Sequence, residues 1–141
     1  NVATQIKDFS PLADLPNLKS VSINWCRSNK LWDMSKNEKL INLWISSAKK
    51  ITYELNGISG CKSLENLMIC GDMDSPYTIR SFSCLSELPH LRRIDLMDIK
   101  SEDHDVSFLF NFAKSPVVTQ ITAFSGFLPV ANAFGLISSI T

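Results

Sequence analysis

The chain has 141 residues, 45% of them apolar and 20% charged, which suits one globular domain with enough material to bury a core. Fourteen basic residues balance fourteen acidic ones, so the basic excess typical of nucleic-acid and acidic-membrane binders is missing.

The first legible stretch is residues 8–23. Its apolar residues step by three (Phe9, Leu12, Leu15, Leu18, Val21) and then by two (Val21, Ile23). Steps of three fit tight 3₁₀-like turns, and a step of two is the period of a strand. Ser10 before Pro11 reads as a helix N-cap followed by proline at the first helical position. Three residues past Ile23 comes Cys26, whose side chain is expected to tie down the turn leaving the strand.

The figure recurs four times. A second unit runs Leu31, Met34, Asn37, Leu40, Leu43, Ile45, with Asn37 breaking the apolar column and Ala48 in the place of Cys26. A third runs Leu55, Ile58, Cys61, Leu64, Leu67, Ile69, then Asp72. The fourth, Phe82, Leu85, Leu88, Leu91, Ile94, Leu96, is the cleanest. The fifth runs Leu109, Phe112, Ser115, Val118, Ile121, Ala123; residues 106–114 read as its helix, with Asp105 as cap and Pro116 as stop. Leu18, Leu40, Leu64, Leu91 and Val118 lie 22, 24, 27 and 27 residues apart. The frame Leu-x-x-Leu-x-Leu-x-x-Asn/Cys fits from Leu18 to Cys26, and its three strand-core positions are apolar in all five units.

On these residues the chain resembles the leucine-rich-repeat family over about residues 6–140, and its first unit resembles repeats of bacterial internalin-like proteins. The resemblance implies an α/β solenoid of about five units. A short parallel sheet lines its concave face, with strands near 20–24, 42–46, 66–70, 93–97 and 120–124, and short helices or 3₁₀ turns form its convex face. A single domain over 1–141 is expected. The start at Asn1, and an end near the place where a sixth strand is due, favour a piece of a longer protein over the alternative, a terminal helix from Leu128 to Ile140 that caps the last repeat. Residues 124–140 are the most apolar window but include Gly126, Pro129, Asn132 and Gly135, which marks core rather than a membrane span.

Signals for chemistry are weak. The cysteines (Cys26, Cys61, Cys70, Cys84) contain no C-x-x-C pair, and only His90 and His104 could join them in a metal set. As reduced, mostly buried thiols they favour a cytoplasmic setting; a secreted or cell-surface protein with a disulfide and a removed signal peptide is the alternative. Asp103-His104-Asp105 reads as a solvated loop, and Lys49-Lys50 as a solvated run. Trp25 and Trp32 read as core or turn packing. Cys70 has no neighbour in sequence that would lower its pKa. No catalytic residue, metal or cofactor is assigned, and the chain is not expected to be an enzyme.

The residues between the strand-core positions alternate to the opposite face. They form three columns: Ser20, Asn42, Asn66, Arg93, Gln120; Ser22, Trp44, Met68, Asp95, Thr122; and Asn24, Ser46, Cys70, Met97, Phe124. Trp and Arg are common interface anchors and Met an adaptable one. The expected partner-binding set is therefore Asn42, Trp44, Asn66, Met68, Arg93, Asp95, Met97 and Phe124, with Arg93 and Asp95 fixing orientation. The expected partner is another protein, with no nucleic acid and no membrane insertion. The alternative role is a structural or regulatory repeat region of a larger protein.

Overall fold

The computed structural model describes residues 6–72, 74–105, 107–108 and 120–124, the last of these as backbone. Five strands form one parallel sheet in the order β1 (Ser20–Asn24), β2 (Asn42–Ser46), β3 (Asn66–Cys70), β5 (Arg93–Met97), β7 (Gln120–Phe124). The pairing has no stagger: Ser20, Asn42, Asn66, Arg93 and Gln120 stand side by side, as do Ser22, Trp44, Met68, Asp95 and Thr122. These strands occupy the ranges that the repeat frame marks.

The register follows from the connections. β1, β2, β3 and β5 are each reached through a run of i→i+3 turns closed at the apolar positions. Leu12, Leu15 and Leu18 each donate a backbone N–H to the carbonyl three residues back. So do Asn37 and Leu40, then Ile58, Cys61 and Leu64, then Leu85, Leu88 and Leu91. Residues spaced by three eclipse in such turns, so their side chains line one column against the sheet. Segments Ser10–Asp14, Asn56–Ile58 and Ser83–Glu87 are regular enough to count as 3₁₀ helices, and α1 (Lys49–Thr52) is one α-helical turn. Between units, one carbonyl takes two consecutive N–H groups. Lys19 O accepts from Ile41 and Asn42, Ile41 O from Glu65 and Asn66, and Glu65 O from Arg92 and Arg93. A carbonyl oxygen has two lone pairs, so both donors are satisfied as each strand begins.

The core lies between the sheet and these turns. Leu40, Leu43, Ile45, Leu64, Leu67, Ile69, Leu91, Ile94 and Leu96 are all buried. In the first unit Leu12, Leu18 and Val21 are only half-buried and Leu15 is 46% exposed, because among the described residues β1 has a neighbour on one side only.

Several expectations are corrected. Ser10 is the first residue of its 3₁₀ turn rather than its cap; Asp8 does that work, accepting the Ser10 N–H at 2.9 Å and its hydroxyl at 2.8 Å. These bonds favour the charged form and hold the Asp8 carboxyl below its usual pKa, the backbone N–H contributing most. Trp32 is buried, but Trp25 is 64% exposed. Trp25 follows β1 in the left-handed region (φ 56°), as Ser47 follows β2 and Asp98 follows β5, and this turn carries its side chain outward. Cys26 is half-buried and packs against the core, with the Ser28 backbone N–H of the turn after β1 beside its thiol.

Asn37 does not merely interrupt an apolar column. It is 1% exposed, accepts the Trp32 indole N–H at 2.8 Å, and donates to Leu12 O at 2.8 Å and Leu15 O at 3.1 Å in the preceding unit.

A second sheet was not expected: β4 (Tyr77–Ile79) pairs in parallel with β6 (Ile99–Ser101). It is built from the extra residues that lengthen the later units. Gly71 sits at the branch, where an added Cβ would lie 2.3 Å from Asp98 O. The expected helix at 106–114 falls largely outside the described residues, although Asp105 does accept the Ser107 N–H at 2.8 Å. The apolar window at 124–140 lies beyond them except for the backbone of Phe124. Among the described residues no helix is long and apolar enough to cross a membrane.

Candidate functional site

On β1, β2, β3 and β5 the face of the sheet turned away from the core carries the residues of the three expected columns; the side chains of Gln120, Thr122 and Phe124 lie outside the described residues. In the first, side chains hydrogen-bond across strands: Asn42 Nδ2 donates to Ser20 Oγ at 2.9 Å, and Asn66 Nδ2 to Asn42 Oδ1 at 2.7 Å. Unstaggered pairing makes this ladder feasible, because like positions of neighbouring strands stand about 4.8 Å apart. The third column is linked in the same way, Ser46 Oγ donating to Asn24 Oδ1. Within β1, Asn24 Nδ2 donates to Ser22 Oγ at 3.1 Å.

Asn42, Trp44, Asn66, Met68, Arg93 and Asp95 line one cavity of about 300 Å³, floored in part by Leu67. Trp44 is 44% exposed, Arg93 is exposed, and Asn42, Asn66 and Met68 are half-buried. Met97 is half-buried in the third column beside Cys70 and is not among the residues lining the cavity. Phe124 pairs with Met97 through its backbone; its side chain lies outside the described residues.

Asp95 departs from the expectation. It stands in register with Trp44 and Met68, yet it is 6% exposed. Residues i and i+2 of a strand share a face, and Arg93 Nε reaches back to Asp95 Oδ2 at 2.7 Å. The guanidinium pairs with a carboxylate that is itself buried. Arg93 is thus the presented member of the pair and Asp95 the group that holds it in place.

The remaining candidates for chemistry are engaged locally. Burial pushes the Cys70 thiol up in pKa, and the Asp98 and Asp72 carboxylates push the same way, so the nucleophilic thiolate is disfavoured. All four cysteines are free thiols, two buried (Cys61, Cys84) and two half-buried (Cys26, Cys70). Asp72 accepts hydroxyl protons from Ser47 at 3.1 Å and from the buried Tyr77 at 2.6 Å. Burial first, and then this bond to Asp72, push the Tyr77 phenol up. Asp103, His104 and Asp105 are exposed; Asp103 Oδ1 accepts from Asp105 N and Ser101 Oγ, and the Asp103 N–H donates to Arg80 O at 3.3 Å. Among the described residues no group of three or more His, Cys, Asp and Glu side chains is placed to hold a metal ion.

The sequence columns place the right residues side by side but do not reveal the amide ladder or the Arg93–Asp95 closure. The signal for both was present as two asparagines in one column and an Arg-x-Asp alternation within one strand. No family model matches the chain, and no curated protein matches it as a relative.

Proposed function

We propose that the chain is a leucine-rich-repeat solenoid of about five units that binds another protein through the outward face of its five-stranded sheet, with no chemistry of its own. The observation that supports this reading is Trp44, half in solvent beside Met68, over a cavity bordered by the amides of Asn42 and Asn66 and the guanidinium of Arg93. A large aromatic ring with polar groups at its rim is the usual composition of an interface anchor. The amide ladder and the Asp95 contact hold the polar groups in place before any partner arrives, which lowers the ordering cost of binding.

The test is affinity capture with the intact chain, alongside Trp44→Ala, Arg93→Ala and the surface control Lys100→Ala. The reading expects a protein retained by the parent chain and by Lys100→Ala, and lost with both Trp44→Ala and Arg93→Ala. Equal retention by all four proteins would remove the sheet face from consideration.

A second reading, a structural arm of a larger protein, draws on the first unit, where Ile6 and Leu15 are exposed and Leu12, Leu18 and Val21 half-buried. That reading expects Leu15→Glu, and not Trp44→Ala, to abolish association with the rest of such a protein.

A further inference from the structure

A second concavity lies at the opposite end of the strand order from Arg93, where the chain leaves β1 and β2. Three segments meet there. Arg27 donates its backbone N–H to Ile6 O at 3.2 Å, and Trp25 donates to Ser46 O at 3.3 Å, so residues 6–7, 25–29 and 46–50 run side by side. Their side chains, with Tyr77 of β4, border an open concavity of about 720 Å³. Lys7, Arg27, Lys49 and Lys50 all line it, with Asn29 and Ser47 between them as neutral polar groups.

All four cations are exposed, and among the described residues none of them makes an ion pair. No acidic side chain lines the cavity. Asp72 stands next to the cavity, its carboxylate bonded to the hydroxyls of Ser47 and Tyr77 that line it, so one negative charge faces the four positive ones. Four of the chain's fourteen cations thus border one concavity, with the Asp72 carboxylate as the one acidic group bonded to its described lining. A cleft lined by charge of one sign focuses its field and raises the local concentration of the opposite ion.

From this geometry we infer that the cavity is a binding site for a compact polyanion carrying two or more phosphate groups. The volume falls within the range of small-molecule sites, about 300–1,000 Å³. The guanidinium of Arg27 offers a planar fork of donors that matches phosphate oxygens, and the three lysines supply mobile point charges around it. Asn29 can donate an amide N–H to a further oxygen. The four cations border one concavity from separate segments of the chain, which suits a compact anion better than the extended phosphate backbone of a nucleic acid. Lys49 and Lys50 come from one unit, Arg27 from the turn before it, and Lys7 from the segment before that. The sequence therefore shows them as three unrelated stretches.

The experiment is calorimetric titration of the intact chain with sodium tripolyphosphate at 0.15 M salt. Inorganic phosphate, a single-stranded oligothymidylate and a poly-glutamate peptide serve as competing probes. The expected result is saturable one-to-one binding of tripolyphosphate, weakened about fivefold or more by Arg27→Gln and by Lys50→Gln, as loss of a charge-assisted phosphate contact requires. Lys100→Gln, an exposed lysine on β6, should leave it unchanged. Far-UV circular dichroism of each variant should match the parent, since all these side chains are exposed. Arg27→Lys, which keeps the charge and removes the fork, should lose less than Arg27→Gln.

Three results would overturn the assignment. One is titration without saturation, and another is equal loss with Lys100→Gln. The third is tighter binding of the oligothymidylate or the poly-glutamate than of tripolyphosphate, which would assign the cavity to a macromolecular partner.

Discussion

Replacing Asn37 separates the logic of the repeat from the logic of this structure. By the repeat frame Asn37 stands in an apolar column, and leucine there should mend the unit. In the structure its side chain uses both amide protons and its carbonyl oxygen, on Leu12 O, Leu15 O and the indole N–H of the buried Trp32. Leu12 O and Leu15 O keep their turn bonds from Leu15 N and Leu18 N, so each loses only a second donor. The Trp32 N–H is left with no replacement. Three net hydrogen bonds at about 1 kcal/mol each, with the heavier penalty for a buried donor left unpaired, put Asn37→Ala at about 3–4 kcal/mol. For a domain of this size that is a fall in Tm of roughly 10 °C. Urea unfolding followed by far-UV circular dichroism would measure it as a shift in midpoint at constant slope. Asn37→Leu adds back apolar contact and should fall between Asn37→Ala and the parent. Trp32→Phe removes the donor while keeping a ring, so the pair Trp32→Phe and Asn37→Leu should cost less together than the sum of the two alone. A variant Asn37→Leu as stable as the parent, or more stable, would refute the reasoning and leave the repeat frame in charge of this position.

Other consequences are simpler to test. Leu43→Ala should cost about 2–5 kcal/mol by urea unfolding because Leu43 is fully buried, while Trp44→Ala next to it should cost less than about 1 kcal/mol; equal costs would mean that the alternation across β2 is misread. Gly71→Ala should destabilise by more than about 1 kcal/mol in the same assay, since the new Cβ would press on the backbone carbonyl of Asp98 at 2.3 Å. Burial, aided by the Glu87 charge, pushes the Cys84 thiol up from 9.0 to about 11, so the unfolded state releases this proton first as pH rises. The stabilisation is therefore present in full below about pH 9 and is lost on the way to pH 11. Cys84→Ala should flatten that decline, measured as the pH dependence of the urea midpoint, and an unchanged slope would show that Cys84 ionises freely in the folded protein.

The site was partly legible in advance. Alternation within each strand marked Trp44, Met68 and Arg93 as outward, and they are exposed or half-buried on the face opposite Leu43, Leu67 and Ile94. The same rule marked Asp95 outward, where it is buried, because a rule about which face a residue occupies is silent on what covers that face. Arg93, two residues earlier on the same strand, is hydrogen-bonded to it there. Trp25 failed for a similar reason. An aromatic residue after a strand suggests packing, but the left-handed backbone of that turn points its ring to solvent.

Periods of three and two are local properties of the backbone. They can be read along the chain because an i→i+3 turn and an alternating strand each impose a spacing on the residues that must face a core. From them come the five strands, their apolar positions and the columns of the sheet face. Contacts between units carry no such spacing. Asn37 reaches carbonyls 25 and 22 residues away, β4 and β6 find each other only because two longer units lie next to one another, and Lys7, Arg27, Lys49 and Lys50 meet through backbone bonds between separate segments. Those placements decide which polar groups are buried, which cations share a cavity and which rings meet solvent, and they exist only once the units are stacked.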